Sequence, residues 1–237
     1  MQLSFQYGTR NIEFTVTYSN RKTIQITVEP PDIVKVTAPM DTPKDAILEK
    51  VKSKASWIVQ KLFAFKDMEF MISSKEFVNG ESFLYLGRNY SLNINLNGQL
   101  KRSEVKLYQG KFIVETPTKD EMAIRKAMEQ WYRQKAEEKV NERVEYYQHY
   151  FKIKPKKVSI KEQKKRWGSC TGDNHLLFNW RIIMAPSPVL DYIVVHELCH
   201  MSYKNHSREY WDMLSSIIPD YEKRKEWLRN YGVRIGF

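Results

Sequence analysis

HELCHMSYKNH, residues 196–206, places three of the chain's five histidines and a glutamate within eleven positions. On an α-helix, residues four apart lie about 40° apart around the axis, so His196 and His200 share a face. Two imidazoles one turn apart can ligate one tetrahedral metal without distorting the backbone. Leu190, Val194, Leu198 and Met201 fall on the opposite side, ready to enter a core. In the H-E-x-x-H arrangement the carboxylate, here Glu197, stands beside the water that a metal activates and can take its proton. A zinc site of this kind needs a third protein ligand. His206 is the nearest candidate, with Glu209 and Asp212 on the following segment as rivals. A continuing helix would carry residue 206 about 120° away from the pair. The chain must therefore turn, and Lys204-Asn205 is the place, since asparagine tolerates the left-handed conformation and Ser207 can cap a new helix. Chance supplies on the order of 0.01 such H-E-x-x-H matches in a chain of this composition.

Upstream, Ser187 and Pro188 read as N-cap and first residue of the helix that carries the motif. RWGSC (166–170) and Leu176 to Ile183 predict a hairpin across Thr171-Gly172-Asp173-Asn174, and Val158 with Ile160 begin another strand. Thr118 and Glu121 form a capping-box pattern ahead of a long helix. Its core side carries Ile124, Met128, Trp131, Ala136, Val140, Val144 and Tyr147. The first forty residues alternate as strands, with Ile12, Phe14, Val16, then Ile24, Ile26, Val28, then Ile33 to Ala38 after an EPPD turn (29–32). Thr42 and Pro43 start a single helix running to about Lys66, with Ile47, Val51, Ile58, Leu62 and Phe65 on one face. Strands return from Phe77, with a hairpin at Gln109-Gly110. No repeat is visible. The seam lies near Pro117, where β-rich sequence gives way to helix, giving a β-rich supporting region with one helix (1–116) and a core region that holds the histidine motif (117–237).

HELCHMSYKNHSREYW, preceded by RWGSC and NWRIIMAPSPVLDYIVVHE, resembles the YgjP-like metallopeptidases, which are related to the gluzincin-like and SprT-like enzymes. KASWIVQKL, GESFLYLGRNYSL and the helix around QWYRQKA are also similar, so the resemblance covers nearly the whole chain. It implies an α+β fold, in which a β-rich N-terminal region precedes a zincin-like catalytic core with an HExxH active-site helix. It also implies Zn2+ on His196, His200 and His206, Glu197 as general base, and a peptide or protein substrate. The metzincin pattern shares the histidine spacing, but Tyr203 stands where that pattern has glycine. A rival from another class is a nucleic-acid-associated, restriction-modification-linked factor with an auxiliary metal site.

A formal charge of +11 and a pI near 9.4 favour anionic partners. Lys152 to Arg166 holds eight lysines and arginines against one glutamate. It reads as a solvated basic face, with a phosphate-contacting stripe and a wall selecting acidic substrates as the alternatives. No stretch is apolar and long enough to span a bilayer. The N-terminus shows no secretory signal pattern, and two cysteines are too few for a disulfide framework, so a reduced, cytoplasmic setting is expected. Cys199 reads as a packed thiol, and Cys170 with His175 lacks the spacing of a second metal site. Trp167 and Trp180 read as core aromatics. Arg166, Ser169 and Asn179 belong to a hairpin of which either half can pair with an extended substrate. Tyr203 and Tyr210 are candidate oxyanion donors.

Overall fold

Alternation of apolar and polar residues builds each sheet of the protein, seen in a computed structural model that describes residues 1–29, 32–69, 75–163, 166–232 and 235–237. The expected Pro30-Pro31 turn, the Phe65 side chain, Lys164 and Lys165 lie outside that description. The chain is α+β and divides into two units, Met1–Ser73 and Ser74–Phe237.

In the first unit, β1 (Gln2–Tyr7), β2 (Arg10–Ser19), β3 (Gln25–Glu29) and β4 (Ile33–Pro39) form one sheet in the order β1-β2-β4-β3. The outer pairs are antiparallel and the central pair β2–β4 is parallel. Ile12, Phe14 and Val16 bury one face of β2 against Ile47, Val51 and Ile58. These last three come from two helices, α1 (Lys44–Lys52) and α2 (Ala55–Glu69), where one was expected. The break is at Ser53, whose hydroxyl turns back to the Lys50 carbonyl at 2.8 Å and competes with helix propagation. Pro43, rather than Thr42, occupies the N-cap position.

The second unit opens with β5 (Ser82–Tyr85), β6 (Arg88–Leu96), β7 (Glu104–Tyr108) and β8 (Lys111–Thr116), in the order β5-β6-β8-β7. Its central pair is again parallel and its outer pairs antiparallel. Leu86-Gly87 and Gln109-Gly110 have positive φ at both positions, the requirement of a tight two-residue hairpin turn. Helix α3 (Glu121–Tyr147) buries every residue expected of its core side. Asp120, not Thr118, caps it, accepting from Met122 N at 3.1 Å. The expected boundary at 116/117 falls inside this unit. Phe112 on β8 packs its ring against Trp131 and Tyr132 of α3, so strands and helix share one core.

A second sheet follows α3: β9 (Lys157–Lys161), β10 (Gly168–Cys170) and β11 (His175–Asn179), in the order β10-β11-β9. The β10–β11 hairpin is antiparallel, as read from the sequence, and β11 pairs parallel with β9. After Asn179 the chain makes a 3-10 turn (Trp180–Met184), then enters α4 (Ser187–Ser202), α5 (Arg208–Ile217) and α6 (Tyr221–Tyr231). Pro186 holds the N-cap position of α4. This helix is buried nearly all round, not on one face alone, because α3, α5, α6 and the 3-10 segment surround it. Bidentate pairing of Arg143 with Asp191, at 2.6 and 3.1 Å, ties α3 to α4. Among the described residues no helix is long and apolar enough to cross a membrane.

Candidate metal centre

Helix α4 carries His196, Glu197 and His200, then ends at Ser202. The chain bends at Lys204-Asn205, as expected, and Ser207 takes the N-cap position of α5. That turn returns His206 to the pair. The ligand nitrogens of His196, His200 and His206 all lie within 4.8 Å of one another. The rivals do not join them: Glu209 and Asp212 are outside the group, and Asp212 lies 3.7 Å from Arg208.

Two distances test whether a metal fits. The Nε2 atoms of His196 and His206 are 3.3 Å apart. Nitrogens placed 2.0–2.1 Å from a tetrahedral centre are separated by about 3.3–3.4 Å, so this pair already has the edge length of such a site. His200 donates from Nδ1 to the Tyr203 carbonyl at 3.0 Å, which leaves its Nε2 lone pair free for the centre. Electrostatics agree with geometry. Burial, aided by the charges of His200, His206 and Lys225, holds His196 down at about 3. Partial burial, with His200 and Lys225, also lowers His206. Neutral imidazoles are what a metal requires.

Aromatic rings fix the histidines from behind. Tyr210, fully buried, packs its ring 5.4, 4.7 and 4.8 Å from those of His196, His200 and His206. Its hydroxyl donates to the His196 carbonyl at 3.2 Å. Tyr210 is thus a support and not the oxyanion donor considered from sequence. Tyr203 contributes its carbonyl, as above. Trp211 stacks on His206 with rings 5.4 Å apart and 21° between planes, and Lys225 Nζ sits 4.5 Å over the same indole.

Glu197 is 4% exposed, and its Oε2 is buried without a hydrogen-bond partner among the described residues. Burial pushes its carboxyl up to about 8, against the opposing charge of Arg166. A buried carboxylate aimed into a cleft with no protein partner is poised for a proton or a cation. Its position depends on Gly168 of β10. A Cβ at residue 168 would stand 2.6 Å from Glu197 Oε1 and 2.9 Å from its Cδ. The glycine of RWGSC, passed over in the sequence, carried a usable signal, since glycine within a strand marks a close approach.

These groups line a cleft of about 340 Å³, with Arg166, Ser169, Cys170 and Lys204 on its walls. Register decides which backbone groups of β10 face it. Asn179 N bonds Trp167 O at 2.8 Å and Thr171 N bonds His175 O at 3.0 Å, so the odd residues pair with β11. By the alternation of antiparallel ladders, Gly168 and Cys170 turn their N–H and C=O to the outer edge. No described strand covers that edge.

The other sequence candidates resolve plainly. Trp180 is core, with Nε1 bonded to Glu162, and Trp167 packs against Gly232. Cys199 is buried. His175 bonds Ser159 Oγ at 3.0 Å and forms no metal cluster with Cys170 among the described residues. Asn179 is a pin: its amide donates to the carbonyls of Gln163 and Arg166 and its oxygen caps the 3-10 turn. Lys152, Lys154, Lys156, Lys157 and Lys161 of the basic stretch are exposed.

A family model for the YgjP-like metallopeptidase domain matches residues 22–231. The chain belongs to the YgjP-like metallopeptidase family. The resemblance read from HELCHMSYKNH and RWGSC is thereby established over most of the chain. Among solved structures, this YgjP-like chain is similar to the metallopeptidase zymogen jannalysin of Methanocaldococcus jannaschii. The two share 22% identity over 42% of this chain and 97% of that one, with a TM-score of 0.34. No curated protein matches.

Proposed function

We propose that this YgjP-like metallopeptidase is a zinc peptidase in which His196, His200 and His206 hold the metal and Glu197 is the general base. The tetrahedral edge length between two histidines, beside a buried and unpartnered carboxylate, carries the reading. Imidazole suits several divalent ions, and three histidines with a fourth position open to water suit zinc best. When bound, zinc supplies Lewis acidity toward the scissile carbonyl and lowers the pKa of water in the cleft.

The chain's own residues then do the rest. The outward backbone groups of Gly168 and Cys170 pair with an extended peptide and set its register. Glu197 accepts a proton from the attacking water and passes it to the leaving amine. Tyr210, Trp211 and the Tyr203 carbonyl hold the three imidazoles in orientation, so the ligand set is formed in advance.

Two variants test this together. Glu197→Gln keeps size and cannot accept the proton. It is expected to retain zinc, by elemental analysis, and to lose at least about a hundredfold in turnover of peptide substrates. Gly168→Ala leaves the carboxylate chemically intact but forces it out of place, and a loss of similar order with zinc retained is expected. Loss of zinc from Glu197→Gln would make the residue a ligand or prop, and unchanged turnover in it would remove it from the reaction.

A further inference from the structure

Two cations far apart in sequence meet at the cleft. Arg166 precedes β10 by two residues and lines the same cleft as the three histidines and Glu197. Its backbone is fixed, because its carbonyl accepts from the buried Asn179. Lys204 arrives from the end of α4 at the other end of the strand. Its Nζ lies 2.8 Å from Asn174 Oδ1, 3.4 Å from the Thr171 carbonyl and 4.0 Å from Cys170 Sγ. All of those partners are neutral. Both side chains are exposed, and among the described residues neither has a carboxylate within ion-pair distance, whereas the half-buried Arg133, Arg143 and Arg224 are paired with Glu162, Asp191 and Asp220.

Of the acidic groups around the cleft, Glu197 feels the charge of Arg166 but forms no ion pair with it among the described residues. Glu197 is the proposed base and is buried. Asp173, in the β10–β11 turn, accepts from the Thr171 hydroxyl, which favours its charged form, and its charge acts on Cys170; Asp212 lies 3.7 Å from Arg208. Lys225, behind His206, adds a third positive charge.

We infer that the cleft selects peptides bearing acidic side chains on both sides of the scissile bond, with Arg166 and Lys204 as the specificity-determining cations. The inference rests on the peptidase reading for what happens after binding, though not for the selection itself. Gly168 to Cys170 spans about 7 Å of strand, so the cations bracket a substrate stretch of roughly two to four residues. A carboxylate on either side of the bond thus reaches one cation each. Lysine in those places would meet the like charges of Arg166 and Lys204, so discrimination comes from repulsion as well as attraction.

The test uses the zinc-loaded full chain and peptides blocked at both termini, so that only side-chain carboxylates are read. Three peptides differ solely at the positions flanking the cleaved bond, with glutamate, glutamine or lysine. At low ionic strength the glutamate peptide is expected to exceed the lysine peptide in kcat/KM by at least about tenfold, and added salt to shrink the ratio. Arg166→Gln and Lys204→Gln each lower that ratio, and the double variant brings it near one. Arg166→Glu with Lys204→Glu inverts it in favour of lysine, with zinc content as the check that the site is formed. The same three peptides are titrated onto zinc-loaded Glu197→Gln, where binding is read without cleavage. Selective binding of the glutamate peptide with no cleavage by the wild type would keep this inference and sink the peptidase reading. Cleavage with a ratio near one, or a ratio that survives in the double variant, would overturn the inference and leave the peptidase reading standing.

Discussion

The sheet of the first unit and the opening sheet of the second share one plan: two hairpins joined through a parallel central pair, then helix. The histidine cluster belongs to the second unit alone. The difference lies in what surrounds each plan. In the first unit, among the described residues, the sheet closes its core with α1 and α2. In the second, α3 runs 27 residues, and its buried face continues from the sheet into the segment that leads to α4. Tyr132 shows the arrangement in one side chain: its ring meets Phe112 of β8 and Trp180 of the 3-10 turn, while its hydroxyl donates to Leu84 O of β5 at 2.6 Å. The same four-strand plan packs on two short helices in one place and buttresses the helices beside the histidine cluster in the other.

The largest effect should separate those two roles. Phe14 on β2 and Phe112 on β8 are both buried aromatic residues. Truncating either to alanine is expected to cost about 3–5 kcal/mol, as phenylalanine deletions in cores do. Only Phe112→Ala should also weaken zinc retention, since its ring supports Trp131 and Tyr132 on α3. Denaturant unfolding together with zinc content after mild chelation reads both quantities. Equal zinc loss in Phe14→Ala would erase the distinction.

A smaller effect sharpens it at matching turns. Gly8 turns β1 into β2 with φ 58, and nothing stands within 4 Å of a Cβ added there. Gly87 turns β5 into β6 with φ 78, and its Cβ would lie 2.9 Å from the Pro186 backbone at the start of α4. Leu86 N and Gly87 N also bond the carbonyls of Ile183 and Met184, at 2.8 and 3.1 Å. Alanine at residue 8 meets only the positive φ, about 1 kcal/mol, whereas alanine at residue 87 adds a backbone clash and should cost about 2–4 kcal/mol. Thermal unfolding of the two variants side by side checks the gap, and equal shifts would mean the β5–β6 turn does not brace α4.

Local periodicity made most elements legible, and the core face of α3 was read residue by residue. So was the clustering of the three histidines, because they lie with Glu197 within eleven positions and one turn. What escaped depends on pairing across distance. The shared plan of the two sheets was invisible because it resides in strand order, while the residues that form it differ. The boundary at 73/74 escaped because Phe112 and Trp131 meet only once β8 lies on α3. Asp120 displaced Thr118 as cap, and Ser53 divided a helix whose apolar spacing runs on unbroken, both being one-residue contests between side chain and backbone. Tyr210 was legible as an aromatic but not as the floor of the site, since that role needs the turn at Lys204-Asn205 to fold α5 back onto α4.

The smallest effect concerns a polar tie that the second unit makes midway along α3. Glu162, just beyond β9, accepts from Trp180 Nε1 and pairs with Arg181 and with Arg133 of α3, the last at 3.0 Å. Burial alone would raise its carboxyl, but the hydrogen bonds from Trp180 and Arg181 and the charges of Arg181 and Arg133 outweigh it and hold it below the ordinary 4.5. A carboxylate depressed on folding contributes stability that is present above its unfolded pKa, near 4.5, and is lost as pH falls through the lower folded value. The side chain is 41% exposed, so solvent screening limits the contribution to about 1 kcal/mol or less. Glu162→Gln should therefore be less stable than the wild type at neutral pH, and the difference should shrink as pH falls below about 4.5. Urea unfolding of both proteins from pH 7 to pH 3 measures this directly. A difference that stays constant over that range would assign the tie to the shape of the side chain and its neutral hydrogen bonds, and would take charge out of the link between α3 and the segment that carries α4.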